Sequence, residues 1–498
     1  MDRSRWFVVL VAVAVIMLWT GILSARNDDD DDEEEFTLEE IVTMGATPGG
    51  AQDISYFRDE VKEGGLPHPN TLTPEGLFSE HDLPLSQTKP CTQLLCISGQ
   101  ATSAHLLVQD DVRYLAQLGF ESNLTPKTFS RDPLNLIAVV DTSGSMGGKP
   151  IETVRESLLQ VASQLRKGDQ MAIVRYSDRV EVVLHPTNAS KLKEINNAIM
   201  SLVISGSTYM EAGLALGYQV AQESAGQFKG TTRVMLFTDE RPNVGSTDAE
   251  SFMDMAEKGS HKGIGLTTIG VATHFGAELA TKISSVRGGN LFFFPDVADM
   301  KRVFTDEFDT LVTELAYDLH LVIRPEKGLR ISGVYGIPGE VLKWEGKDIH
   351  LEVSTIFLSL RKGAIYVAFS PDNTRGLPVE TVKEGRSVGT VDLTYVQAKS
   401  GEKENSRFSL VVASEESIGV GLKRGIMLVN EYTSLEEAAK AHYEANNQEK
   451  AYQAIRALAT LFRYDDDPDL AKERTLVFTL EETLAKKSGH HGEPGNRK

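Results

Sequence analysis

Cysteine is scarce in this sequence: only two of its 498 residues are cysteines. Cys91 and Cys96 lie close together, and a zinc site at this point would need further ligands that the neighbouring sequence does not supply. The spacing favours a small disulfide loop, and disulfides persist in oxidising compartments. The sequence therefore predicts that the two cysteines pair and that the protein works outside the cytoplasm.

Positive charge is also in short supply, because 51 lysine and arginine residues are outnumbered by 71 aspartate and glutamate residues, which gives a formal net charge of −20. Eight of the acidic residues form one run at positions 28–35. A run of like charges repels itself, so we expect a solvated tether there. The acidic balance disfavours binding to nucleic acid and to anionic membrane surfaces. We therefore expect no nucleic-acid partner.

The N-terminus carries an apolar run at residues 6–23, preceded by Arg3 and Arg5 and followed by Ala25. A basic head, an apolar core and a small residue at the end are typical of an export signal, here with cleavage after Ala25. The run is also close to the minimum length of a membrane-spanning helix, so an uncleaved anchor in the inner membrane is the alternative. Both interpretations place the remaining chain in the periplasm or the extracellular space.

The motif that says most about function follows the apolar run Leu134–Val140, which is typical of a buried strand in a parallel sheet. Such sheets bind ligands beyond the carboxyl ends of their strands. Directly after this run, Asp141, Ser143 and Ser145 place a carboxylate and two hydroxyls on alternate residues of one turn. An oxygen-only set of this kind is what a small hard cation such as Mg²⁺ selects.

Two later segments add side chains of the same chemistry. Thr208 supplies a hydroxyl in a loop of small residues that begins at Ser205 and opens a predicted helix. Asp239 follows the predicted strand Arg233–Phe237 and is a second carboxylate at a second strand end. The order Asp-x-Ser-x-Ser, then Thr, then Thr-Asp resembles the metal-ion-dependent adhesion site of the von Willebrand factor type A (VWA) domain.

The resemblance implies a role for each of these five side chains. Ser143 and Ser145 would bind the metal directly, and Asp141 and Asp239 would bind it directly or through water. Thr208 would join or leave the coordination shell with the ligand state. The cation would be Mg²⁺, with Mn²⁺ or Ca²⁺ as alternatives. One coordination position would stay open for a carboxylate that a protein partner presents, as it does in the family.

Glu240 departs from the family pattern, which usually has glycine after the second aspartate. A glutamate at this position could add a metal ligand, hydrogen-bond a bound water or repel an incoming carboxylate. The departure leaves the expected fold unchanged, and it makes Glu240 a candidate modifier of ligand binding.

Strands and helices alternate along residues 132–314, which predicts an α/β fold with a doubly wound, mostly parallel sheet. The VWA resemblance implies the same Rossmann-like architecture. Short β-rich runs separated by turns follow this domain and predict a β-sandwich-like module. Further on, Ser434 and Glu437 form a capping box that predicts the start of a C-terminal helical hairpin.

The N-terminal segment Tyr56–Pro69 resembles the short segment that precedes the VWA domain in a group of exported bacterial proteins. With it, the predicted organisation of the chain is as follows: a signal peptide or membrane anchor (1–25), an acidic disordered linker (26–50), an N-terminal VWA-associated segment that is partly β (51–131), the VWA domain (132–314), the β-rich sandwich module (315–414), a helical region (415–486) and a disordered tail (487–498).

Motifs for catalysis are broken in this sequence. Gly144–Pro150 superficially resembles a phosphate loop, but it is one residue short and Pro150 replaces the hydroxyl that would hold Mg²⁺. A nucleophile-elbow motif around Ser145 fails because Ser143 stands where glycine is required. We therefore predict a non-enzyme. The favoured function is an exported protein-binding or adhesion module that captures its partner through a divalent cation. The alternative is a structural or assembly scaffold of the cell envelope without cation-gated binding.

Overall fold

The structure is a computed structural model that describes residues 45–48, 55–69, 72–85, 91–239, 249–271, 286–293, 297–337, 342–372 and 383–489. The predicted signal peptide or anchor, the acidic run, Glu240 and residues 490–498 of the predicted tail lie outside these ranges. Among the described residues, no helix combines the length and the apolar character that a membrane crossing requires.

Strands and helices both recur throughout the described chain. The strands are β1 (Gly45–Pro48), β2 (Cys96–Ser103), β3 (Tyr114–Glu121), β4 (Leu134–Asp141), β5 (Gln170–Tyr176), β6 (Val180–Asn188), β7 (Thr231–Thr238), β8 (Ile264–Gly270), β9 (Gly289–Phe293), β10 (Glu314–Pro325), β11 (Leu329–Tyr335), β12 (Leu342–Glu345), β13 (Asp348–Ser359), β14 (Ala364–Pro371), β15 (Ser387–Gln397) and β16 (Lys403–Val411). The helices are α1 (Ser55–Lys62), α2 (Pro74–Ser79), α3 (Lys149–Gln164), α4 (Leu192–Met200), α5 (Met210–Ala225), α6 (Ala249–Ser260), α7 (Val297–Asp306), α8 (Phe308–Leu311), α9 (Val420–Tyr443), α10 (Gln448–Phe462) and α11 (Ala471–Lys487).

A six-stranded sheet in the order β6-β5-β4-β7-β8-β9 forms the centre of an α/β domain. All neighbours in it are parallel except β5 and β6. Successive side chains of β4 point to opposite faces: Ala138 and Val140 pack with α3, α4 and α7, whereas Ile137 and Val139 pack with α5 and α6. Both faces of the sheet are therefore covered by helices, which confirms the predicted doubly wound α/β fold.

A second, antiparallel assembly of strands has the order β11-β14-β3-β1-β13-β10-β15-β16, with β2 paired to β3 and β12 paired to β13. Its two halves share one apolar core, in which Leu118 and Val367 of the first half meet Leu321 and Leu351 of the second. Strands from before and after the α/β domain therefore build one sandwich-like module. Cys91 and Cys96 lie at its edge and form a disulfide with 5.7 Å between their Cα atoms.

Part of the linker predicted at residues 26–50 is a strand: Gly45–Pro48 form β1 rather than a disordered tether. Ala46 pairs antiparallel with Leu358 of β13, and Gly45 also pairs with Glu121 of β3. The sequence Gly-Ala-Thr-Pro has no alternating apolar pattern of its own. It becomes a strand because β3 and β13 both offer it free backbone donors and acceptors.

The C-terminal helices form a layer that includes the N-terminal segment. Phe57 of α1 and Phe78 of α2 share an apolar core with α9, α10 and α11, and this core packs on the outer face of β3 and β14. The predicted hairpin corresponds to α9 and α10, and α11 is a third helix beyond it. The break between α9 and α10 lies at Asn446, which has a positive φ of 48°, and at Asn447, whose side chain caps α10.

The predicted helix start at Ser434 is wrong, because α9 begins fourteen residues earlier at Val420 and buries Ser434 within it. Two glycines early in α9 conceal this start in the sequence. A Cβ at Gly425 would lie 1.9 Å from Cε1 of Tyr366, and one at Gly421 would lie 2.1 Å from the carbonyl oxygen of Pro84. Glycine is required here by the close approach of the helix to its neighbours, although it lowers helix propensity.

A buried ionic network joins the N-terminal segment to the last helix. Arg58 of α1 donates hydrogen bonds to Glu80 at 2.7 and 2.9 Å and to Glu473 of α11 at 2.8 and 2.9 Å. Nε2 of His81 lies 3.0 Å from the same Glu473 carboxylate, which is fully buried. Close by, Glu431 of α9 is also fully buried, and burial together with the Glu473 charge raises the pKa of its carboxyl. The network places opposite charges on segments more than 400 residues apart.

Removing the central cation of this network is expected to destabilise the protein strongly. Arg58→Ala leaves Glu473 buried without its main partner, so we expect the free energy of unfolding to fall by about 3–5 kcal/mol. Chemical denaturation would measure the loss. Lys62→Ala on the same helix is the matched control, because its ion pair with Asp59 is exposed and we expect a change within about 0.5 kcal/mol. Equal effects of the two changes would show that the network does not hold these helices together.

His81 makes the stability of this layer dependent on pH. Burial by itself would lower the pKa of His81, but Asp469 and Glu473 outweigh this effect and raise the pKa from 6.5 to about 9. The contribution of a group with a raised folded pKa is complete below its unfolded pKa and disappears as the pH rises through the folded value. The free energy of unfolding should therefore decrease between about pH 6.5 and about pH 9 in the wild type. His81→Gln should flatten this decrease, and an unchanged slope would assign the pH dependence to other groups.

Candidate metal centre

Three loops meet at the carboxyl edge of the six-stranded sheet. β4 and β7 are parallel neighbours with Val140 opposite Phe237, so Asp141 at the end of β4 lies beside Thr238 at the end of β7. The third loop is bound to the first by backbone hydrogen bonds, from Ser205 N to the Thr142 carbonyl oxygen at 2.7 Å and from Gly144 N to the Gly206 carbonyl oxygen at 3.1 Å. The chain continues from β4 to β5 on one side and later returns to β7 on the other. The loops therefore meet at a topological switch point, where α/β sheets bind their ligands.

Asp141 is fully buried, and protein donors hold both of its carboxylate oxygens. Oδ1 accepts a hydrogen bond from the backbone N–H of Ser143 at 2.9 Å. Oδ2 accepts from the hydroxyl of Tyr176 at 3.2 Å and from that of Thr238 at 3.1 Å. These bonds fix the carboxylate in one orientation, so the strand end presents a positioned negative charge to the loops above it.

The two serines and the second aspartate form a continuous chain of oxygens. Oγ of Ser143 lies 3.0 Å from Oγ of Ser145, and Ser145 donates a hydrogen bond to Oδ1 of Asp239 at 3.2 Å. Ser143 and Asp239 are buried, whereas Ser145 is exposed at the surface. The set is therefore open to solvent on the side of Ser145 and enclosed by protein on the side of Asp141.

Thr208 is buried in the third loop, which packs against the ends of β4 and β5. The next residue, Tyr209, donates its N–H to the carbonyl oxygen of Ser177 at 3.0 Å, and the hydroxyls of Ser177 and Ser205 lie 3.0 Å apart. Gly206 has a positive φ of 67°, and a Cβ there would lie 2.4 Å from Oδ1 of Asp178. A side chain would not fit at this close approach, which explains the small residues of the loop.

The electrostatics of Asp141 favour a nearby positive charge. Burial raises the pKa of the Asp141 carboxyl, although hydrogen bonds from Ser143, Thr238 and Tyr176 partly oppose that effect. A carboxylate that has lost its water shell is costly unless it is compensated. A cation beside it would supply that compensation.

The donor set fits a hard divalent cation. The side chains that converge here present carboxylate and hydroxyl oxygens only, which suits Mg²⁺. Among the described residues, no group of three or more histidine, cysteine, aspartate or glutamate side chains is placed to hold a metal ion. Of the candidate side chains that the structure describes at this edge, Asp141 and Asp239 are the carboxylates, and a magnesium site commonly completes its shell with hydroxyls and waters. Glu240, the predicted modifier, lies outside the described residues.

Two side chains hold Asp141 in place: Tyr176 was not singled out in the sequence, and Thr238 was named there only as the residue before Asp239. Tyr176 reaches it because the parallel register places Asp141 opposite Tyr176 on β5, and Thr238 reaches it from β7 on the other side. The sequence signals for them are positional: Tyr176 ends a predicted strand, and Thr238 directly follows the predicted strand Arg233–Phe237. They act as positioning residues for the carboxylate.

The family comparison bears on the same residues. Residues 135–306 match the family model of the von Willebrand factor type A domain. This part of the chain is a VWA domain. The matched range spans all five candidate side chains, from Asp141 to Asp239. VWA domains are commonly protein-interaction modules, and many bind a divalent cation at this edge of the sheet.

Individual proteins resemble part of the chain. The uncharacterized protein YfbK from Escherichia coli (strain K12) is 34% identical over 188 residues, which cover 37% of this chain and 32% of YfbK. Inter-alpha-trypsin inhibitor heavy chain H1 from Mesocricetus auratus is 25% identical over 141 residues, which cover 27% of this chain and 15% of the heavy chain. The chain therefore spans less than a third of the length of these relatives.

A solved structure is similar over a longer range. The von Willebrand factor type A protein from Catenulispora acidiphila has a TM-score of 0.43 and 15% sequence identity, and the similarity covers 81% of this chain and 89% of that one.

Helix α5 packs closely against the ring of Tyr176 at Gly213. A Cβ at Gly213 would lie 2.5 Å from Cδ1 and Cγ of Tyr176, so Gly213→Ala must displace the ring that positions Asp141. We expect a loss of about 1–3 kcal/mol in the free energy of unfolding, measured by chemical denaturation. Gly226→Ala at the end of the same helix is the matched control, because its nearest neighbour is 3.9 Å away and its φ is −61°. Similar stabilities of the two variants would contradict the packing described here.

Proposed function

We propose that the protein is a binding module that captures a protein partner through a divalent cation at the carboxyl edge of the VWA sheet. The observation that carries the proposal is the continuous set of oxygens from Ser143 through Ser145 to Asp239, above the buried carboxylate of Asp141. These polar side chains lie at one place on the sheet edge, within hydrogen-bond distance of one another. A shared cation gives these oxygens a common function.

Each residue contributes to the proposed site in its own way. Ser143 and Ser145 would hold Mg²⁺, or Mn²⁺ or Ca²⁺ in its place, with Asp141 and Asp239 binding directly or through water and Thr208 joining with the ligand state. When bound, the cation would supply a positive position that a carboxylate of the partner can occupy. Tyr176 and Thr238 keep Asp141 in place. The exposure of Ser145 supports an opening toward a partner on that side.

A non-enzymatic role is part of the proposal. The buried polar side chains at the sheet edge hydrogen-bond to one another, and the described part of this site presents hydroxyls and carboxylates without a histidine or a cysteine among them. The matching of residues 135–306 to a family that commonly mediates protein interactions supports binding as the role.

We also propose that the protein works outside the cytoplasm. The disulfide between Cys91 and Cys96 supports this location, because such bonds persist in oxidising compartments. The basic and apolar sequence at residues 1–25 provides the corresponding export signal or membrane anchor.

Cation binding is tested by thermal unfolding of the full chain with Mg²⁺ and with EDTA. A ligand that binds only the folded state stabilises it by about 2.7 kcal/mol at a concentration one hundred times its dissociation constant, so Mg²⁺ should raise the melting temperature. Asp141→Ala and Ser143→Ala should each remove this gain. Asp254→Ala, an exposed carboxylate on α6 paired with Lys258, is the matched control and should keep it.

The outcome also separates the binding module from the scaffold. A wild-type melting curve that is the same in Mg²⁺ and in EDTA would contradict the cation-dependent module. In that case the alternative of an envelope scaffold without cation-gated binding would remain, and the oxygens at the sheet edge would serve the fold alone.

A further inference from the structure

A pair of histidines lies on the outer face of the sandwich-like module, in a different part of the chain from the VWA site. His320 on β10 is opposite Glu352 of β13, and His350 of β13 is opposite Val322. The two histidines are therefore diagonal neighbours on one face of an antiparallel pair, within reach of each other's rings. Nε2 of His320 lies 3.2 Å from Nδ1 of His350, and the ring centres are 5.3 Å apart. Both side chains are half-buried.

The two ring nitrogens form a hydrogen bond at this separation, and the same separation suits two imidazoles bound to one metal ion. A zinc–nitrogen bond is about 2.0–2.1 Å long, so two nitrogens on a tetrahedral ion lie about 3.3 Å apart, with ring centres about 5 Å apart. The separations of His320 and His350 agree with both values. Little movement of either strand would be needed to receive an ion, and the entropy of ordering the two rings is already lost in the fold.

The second nitrogen of His350 has a partner of the kind that metal sites use. Its Nε2 lies 3.3 Å from Oε2 of Glu345, which is on the neighbouring strand β12. A histidine that binds a metal through one nitrogen usually donates its other N–H to a carboxylate, which fixes the tautomer and the ring orientation. Donation to Glu345 would therefore leave the lone pair of His350 Nδ1 directed at His320, whose Nε2–H it accepts when no ion is bound.

We propose that His320 and His350 form a binding site for a divalent late transition-metal ion, Cu²⁺ or Zn²⁺. Imidazole nitrogens prefer these ions to Mg²⁺ or Ca²⁺, so the site differs in chemistry from the oxygen set of the VWA domain. Within the described residues, no third histidine, cysteine, aspartate or glutamate is placed to complete the shell. The remaining positions belong to water or to a donor from a bound molecule. The carboxylate of Glu352 lies beside His320, but it is paired with Nζ of Lys343 at 2.8 Å and is not counted among the ligands.

Titration of the full chain with Cu²⁺ tests the proposal. The titration uses a His490→Ala/His491→Ala background, because these two adjacent histidines could bind Cu²⁺ themselves. Mg²⁺ is added in excess to compete for the oxygen set of the VWA domain. We expect one equivalent of Cu²⁺ to bind, with an electron paramagnetic resonance signal from two nitrogen ligands. His350→Gln and His320→Gln should each weaken the binding by about tenfold or more.

Two controls make the result decisive. His185→Gln removes an exposed histidine from β6 of the other sheet and should leave Cu²⁺ binding unchanged. Asp141→Ala should also leave it unchanged, which separates this site from the cation of the proposed function. Metal-free melting curves would establish that each glutamine variant is folded, and glutamine retains the size and a hydrogen-bonding group of histidine. Absence of the bound equivalent, or equal affinity of the wild-type pair and both glutamine variants, would overturn the proposal.

Discussion

The parallel pairing of β4 with both β5 and β7 is the constraint on which the functional edge of the VWA domain depends. This pairing brings three strand ends together, so that Tyr176 and Thr238 hydrogen-bond to one carboxylate oxygen of Asp141 from opposite sides. The other oxygen is held by the first turn of the loop that carries the two serines. A shift of one residue in either ladder would turn these side chains to the opposite face of the sheet. Strand register therefore fixes the position of the carboxylate around which the three loops meet.

The regions outside the VWA domain depend on segments from both sides of it. β1, β2 and β3 come before the domain and pair or pack with strands that follow it, and α1 and α2 share a core with the last three helices. Arg58 and Glu473 place complementary charges at the two ends of this arrangement. The VWA domain is tied to the sandwich by buried contacts as well: Arg233 of β7 pairs with Glu314 of β10, and Gly288 N donates to Thr355 Oγ1 at 2.6 Å. Strand β7 therefore links the sheet edge that precedes Asp239 to the sandwich, because it also carries Arg233.

The sequence was sufficient to predict those features that short-range patterns encode. The run Leu134–Val140 identified the central strand, and the oxygen-bearing residues after it pointed to the loop in which Ser143 and Ser145 lie beside each other, because both signals lie within a dozen residues. Features that depend on contacts between distant parts of the chain could not be predicted from the sequence. The strand β1 has no pattern of its own, the start of α9 is concealed by glycines that only packing against Tyr366 requires, and Tyr176 gained its role from the register with Asp141. The contact of His320 with His350 depends in the same way on the diagonal geometry of two strands.

The two sites that the structure suggests differ in a way that follows from their surroundings. At the VWA edge the side chains sit on loops, the donors are oxygens, and a buried carboxylate supplies the charge, so the site suits a hard ion that keeps several waters and exchanges them. On the sandwich face the donors are ring nitrogens on two adjacent strands, whose spacing is set by the ladder rather than by a loop. A site on rigid strands holds its ligand atoms at a nearly constant separation, which favours ions with strong nitrogen bonds and defined geometry. The histidine pair would therefore discriminate against Mg²⁺, whereas the oxygen set would hold Mg²⁺ where that ion is far more abundant than Cu²⁺ or Zn²⁺.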